Sequence, residues 1–171
     1  ATPEAAATTP ADTETEPVVL SLRDSNPTTA RDLMGAVEIL INLGRPDEAL
    51  KYLQTLVDAN LNPASLAELQ REFGSGLLLR VMRHAALQPA GAKFGTAVLD
   101  AAYRHARAPE RLQSLITQLN DPLPERRHMA LVDLRPAGES AVAAMIGVLA
   151  DSGRTAEHAR IREALVRLGE I

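Results

Sequence analysis

The chain has 171 residues, 46% of them hydrophobic, with only 2% aromatics, no cysteine and a formal net charge of −4. Those figures exclude a disulfide frame and a thiolate metal site, and no apolar run approaches the roughly 18 residues that suggest a membrane-spanning helix. Residues 1–24 hold five acids and one base, so the remainder is neutral. A neutral body with few rings lacks both the phosphate attraction and the stacking surfaces that nucleic-acid binders use.

Taken in chain order, residues 1–17 carry Ala, Thr, Pro and Glu and no large apolar side chain. Such a stretch cannot bury enough surface to offset its ordering entropy, so residues 1–27 are predicted to form a disordered acidic tail or linker. Tails of this kind often follow a cleaved export signal, and interdomain linkers share the composition. Bacterial cytoplasm and an exported, periplasmic location both stay open. Val18, Val19, Leu20 and Leu22 are the first large apolar residues, expected to dock on the body as an extended strand.

Helical periodicity begins near Thr28, with Leu33, Ala36, Val37, Leu40 and Ile41 on one face. Gly44 stops that helix, and Pro46 opens the next. Ala49, Leu50, Leu53, Leu56 and Val57 supply its stripe. Helices are then predicted over 64–73, 77–87 and 92–107, separated by Gly74-Ser75-Gly76 and by Gln88-Pro89-Ala90-Gly91. The last two are apolar on most sides, as a helix between neighbours should be.

Pro109 starts the last section. A face of Leu112, Leu115, Ile116 and Leu119 is followed by a turn at Asp121-Pro122, and helices are expected up to Leu134, over 140–150 and over 155–168. Asp121 is placed to accept from free backbone N–H groups at a helix start. The sequence repeats itself here: Leu115–Asp121 returns as Met145–Asp151, 30 residues on, and Ala130–Leu134 returns as Ala164–Leu168, 34 on. Repetition at such a period marks stacked helical units. Arg160, Glu163 and Arg167 would give the last helix a polar outer face, as a terminal repeat requires.

Two stretches resemble known repeat families. Leu43–Leu53, LGRPDEALKYL, resembles the middle of a tetratricopeptide repeat, within a hairpin over 28–60. From about residue 109 the chain resembles the HEAT-repeat family, through Asp121-Pro122, Arg127 with Ala130 and Leu134, and the Met145–Asp151 helix end. The resemblance implies that Asp121, Arg127, Ala130 and Leu134 are structural, with Asp and Arg forming a ladder between successive repeats.

Chemistry is harder to find. His84, His105, His128 and His158 lack a second His three or four residues away, so none forms a zinc-binding helix. No serine lies in a G-x-S-x-G turn. No catalytic, cofactor-binding or metal-binding residue is predicted. The one constellation worth testing is basic: Arg104, His105, Arg107 and Arg111 around one turn, and Arg126, Arg127 and His128 near the start of the next helix pair. It reads as a rim for an acidic partner or phosphate, or as cations satisfying helix-end carbonyls together with pairs between repeats such as Arg127 with Asp121.

The expected fold is therefore all-α: a right-handed α-solenoid of antiparallel helix pairs over residues 28–171. The expected role is a non-catalytic scaffold for protein–protein interaction, without a cofactor, nucleic acid or membrane span. An accessory enzyme domain of the HEAT-like lyase or glycosylase type is the alternative, and a structural spacer in an exported protein is a third class.

Overall fold

The computed structural model describes residues 17–169, all helices and turns. Among them are nine α-helices: α1 (Pro17–Ser25), α2 (Ala30–Asn42), α3 (Pro46–Asp58), α4 (Pro63–Arg83), α5 (Ala90–Ala106), α6 (Pro109–Gln118), α7 (Pro124–Leu134), α8 (Glu139–Ala150) and α9 (His158–Gly169). Short 3-10 turns at Ala85–Leu87, Arg135–Ala137 and Ser152–Glu157 join some of them. The predicted flexibility of residues 1–16 lies outside the described residues. None of the helices is long and apolar enough to cross a membrane.

Proline, glycine and small polar residues set the punctuation. Thr29 caps α2, its hydroxyl accepting from the Asp32 N–H at 3.1 Å. Gly44, at φ 71°, closes the same helix in the left-handed region, where the Arg45 N–H reaches back to the Leu40 carbonyl at 2.8 Å. Asn62 caps α4 by accepting from the Ser65 N–H at 2.9 Å. Prolines occupy the first turn of α3, α4, α6 and α7, where the missing N–H costs nothing. Gly74, at φ 74° and ψ 163°, breaks α4 into two segments.

The start of the chain corrects the expected boundary and conformation. Residues 17–25 are helical, so the tail does not reach residue 27, and the apolar run docks as a helix instead of a strand. Val19 is buried and Leu22 packs beside it, while Arg23 meets Glu48 of α3 at 3.2 Å. The spacing of Val19 and Leu22 suits one helical face.

The apolar side chains fall into two separate cores. One gathers Val19 with residues of α2 to α5, including Met34, Leu53, Leu78 and Val98. The other gathers α6 to α9 around Ile116, Leu134, Met145 and Ile161. Within them α2 packs on α3, α4 on α5, α6 on α7 and α8 on α9. The bodies meet where α5 touches α6 and the turn at Arg135–Ala137.

The repeated segments occupy equivalent places. Asp121 Oδ1 accepts from the Leu123 N–H at 2.9 Å, and Asp151 Oδ1 from the Gly153 N–H at 2.8 Å. Both are aspartate turns that end one helix and launch the next. Coverage differs between the segments: Ile116 is fully buried, and Ile146, 30 residues on, is 54% exposed.

A charged clamp ties α6 and the turn after it to the 3-10 turn before α9. Arg154 donates to Glu157 through Nε and Nη2, at 2.6 and 2.7 Å, and through Nη1 to Gln113 of α6 at 3.3 Å. Asn120 donates to Glu157 at 3.2 Å. The Arg154 hydrogen bonds hold the Glu157 carboxyl below its ordinary pKa, against the opposing effect of burial. A depressed carboxylate adds stability above its unfolded pKa, about 4.3, and that stability is lost as pH falls through the folded value. Glu157→Gln should therefore melt lower than the parent chain at pH 7. The gap should close as the pH falls below about 4. Thermal melts at a series of pH values check this, and a gap that widened in acid would contradict it.

Candidate functional site

A concavity with converging polar groups lies between the two bodies. It is a cleft of about 520 Å³ built from the first half of α4, the last turns of α5, and Arg111, Asp133 and Pro136 of the second body. Its floor is apolar, from Ala67, Leu99, Ala102 and Ala106. Small side chains at these positions leave the space open.

Its rim carries mixed charge, mostly paired. Glu68 meets Arg71 at 3.5 Å, and Arg111 meets Asp133 at 3.6 Å. The latter pair spans α6 and α7. His105 and Tyr103 complete the wall on α5. Tyr103 is 59% exposed, and the Arg107 guanidinium lies over its ring, 3.3 Å from the centroid. That arrangement attracts a cation to the ring face and holds the ring still.

Two donors at this junction lack partners. Arg107 Nη1 and Arg111 Nε are buried and make no hydrogen bond. Leaving a buried donor unpaired is costly, so each is a place where an acceptor would be welcomed.

The cations that the sequence suggested as one rim are split by the fold. Arg111 lines the cleft, and Arg107 lies over Tyr103 of its wall. Arg104 turns to a separate shallow recess with Lys93 and Asp100, its Nε donating to the Asp100 carbonyl at 3.3 Å. Arg126 is elsewhere again, 3.3 Å from Asp121 and beside Met129. Arg104 lies within α5, whereas Arg107 follows its last residue as the C-cap and folds over Tyr103, a difference that the linear run 104–111 conceals.

The residues assigned structural roles are also placed. Ala130 and Leu134 are buried in the second core. Asp121 does not cap α7 itself, because its acceptor bond goes to Leu123, ahead of the helix. That bond, then Arg126, hold its carboxyl below the ordinary range. The ladder implied by the HEAT likeness does not form. Arg127 Nη1 instead donates to the Asp121 and Pro122 carbonyls of its own turn, at 2.8 and 2.9 Å. Arg126 takes the carboxylate because it lies on the side of the helix that faces it. Arg160, Glu163 and Arg167 are exposed on α9. They line a notch against the start of α7.

Sequence reasoning missed Glu68, Arg71, Tyr103 and Asp133 as cleft residues. They come from three helices and share no local pattern. Tyr103, one of two tyrosines and followed by Arg104, was the one available signal. Among the described residues no three His, Cys, Asp or Glu side chains are grouped to hold a metal. Compared with family models, curated proteins and solved structures, the chain matches none.

Proposed function

We propose that the chain is a short α-solenoid of stacked antiparallel helix pairs, HEAT-like in its second body, that acts as a non-catalytic scaffold. Its junction cleft receives a segment of a partner protein bearing an acidic side chain. The observation that carries this reading is two buried, unpartnered guanidinium N–H groups, one of Arg111 in the cleft wall and one of Arg107, which lies over Tyr103 of the same wall. A carboxylate would satisfy donors that the chain itself leaves empty. Equivalent turns at Asp121 and Asp151, and the packing of α6 on α8, support the stacked-unit reading. An accessory catalytic domain is the competing reading. It calls for convergent free carboxylates, whereas Glu68 and Asp133 are each paired with an arginine.

The test uses a photo-crosslinking amino acid at position 103 in the parent chain and in Arg111→Glu. The parent chain should give a discrete adduct with a partner protein in cells. Arg111→Glu should lose it while its thermal melt stays within a few degrees. If the adduct persists in Arg111→Glu, the cleft is not the contact surface.

A further inference from the structure

We propose that a second site, the cationic notch between the start of α7 and α9, recognises the carboxylate of an acidic peptide. It does not rest on the cleft reading, since the two share no lining residue. The notch encloses about 180 Å³ and draws Arg127 and His128 from α7 and Arg160, Glu163 and Arg167 from α9, over a floor that includes buried Leu131. Three guanidinium groups face one carboxylate, leaving an excess of two positive charges even with the imidazole neutral.

The internal acid marks where an external one would go. Glu163 accepts from Arg160 Nη1 at 3.2 Å through one oxygen and forms an ion pair with Arg167 Nη2 at 2.8 Å through the other. All three side chains are 44–55% exposed, and such pairs on a helix surface are weak. Glu163 is thus a carboxylate that a ligand can displace or join. Arg127 is different. Its Nη1 is tied to two backbone carbonyls, which holds the guanidinium in place, and no carboxylate of the described residues lies within 4 Å of it. The positive end of the α7 dipole adds to the same field.

The ligand class follows from size and lining. The volume admits one side chain but no helix. A planar carboxylate fits the fork of a guanidinium, and the methylenes of Glu would cover the Leu131 floor, for which inorganic phosphate offers nothing. A polyanion is disfavoured by the neutral body around the notch.

Fluorescence anisotropy with a labelled alternating Glu-Ala octapeptide, at low and physiological salt, tests this. The same peptide with Gln for Glu serves as the neutral comparison. The Glu peptide should bind and the Gln peptide should not. Arg160→Glu with Arg167→Glu should weaken binding at least tenfold. Arg162→Glu changes an exposed cation of α9 that does not line the notch, and it should weaken binding less than threefold. Glu163→Gln should tighten binding several-fold, because it removes the internal competitor. A thermal melt confirms that each variant is folded. Weaker or unchanged binding in Glu163→Gln, an equal loss in Arg162→Glu, or binding of inorganic phosphate without the peptide would each overturn the assignment.

Discussion

Leu134→Ala should cost about 2 to 5 kcal/mol, the range for deleting a buried leucine into a site that cannot collapse. Leu134 is fully buried at the centre of the second core, among residues of α6, α8 and α9. Because the first core shares none of those contacts, the loss should be local. Amide exchange should lose protection over 109–169 first, while α2 to α5 keep theirs. Ile146→Ala, at a half-exposed counterpart of buried Ile116, should cost far less. Uniform loss of protection from α2 onward would show that the two cores unfold as one.

Gly91→Ala is the second large effect, and its sign is the point. In an ordinary helix interior, Gly to Ala gains about 1 kcal/mol. Here a Cβ at position 91 would sit 2.5 Å from the Val81 carbonyl oxygen, so α4 and α5 would have to separate. Overpacking of this kind costs about 1 to 3 kcal/mol, more than the propensity gain. Gly95→Ala meets the Met82 side chain instead. That unbranched chain can swing aside, so the penalty should be smaller. Urea titration of both variants should order them with Gly91→Ala the less stable. A stabilised Gly91→Ala would mean that the helices approach less closely than described.

Much of the fold was legible because its punctuation is local chemistry. Gly44 with Pro46, Asn62-Pro63, Gly74, Pro109 and the Asp121-Pro122 turn each act through their own backbone preferences, and each marks a real helix boundary. The 30-residue echo located two equivalent turns. The first helix was hidden because Pro17 follows a low-complexity run and four clustered apolar residues fit a strand equally well. Gly91 looked like part of a turn after Pro89. Its four-residue spacing to Gly95 was the sign of a close helix crossing. The Arg154–Glu157 clamp was not legible, since its purpose depends on Gln113 and Asn120, far back in the chain. The cleft was half legible: the arginines at 107 and 111 are evident, but their neighbours arrive by tertiary packing alone.

The division into two cores has a kinetic consequence. Most helices pack against the helix next in sequence, so each hairpin closes over a short loop and forfeits little chain entropy. Contacts that local favour rapid folding. The first body finishes with α5 and draws no side chain from beyond it into its core. During synthesis from the N-terminus it can complete its interior while the residues after 106 are still emerging. The second body then folds beside a finished neighbour, and the cleft, which needs Arg111, Asp133 and Pro136, forms only after the first interior is complete.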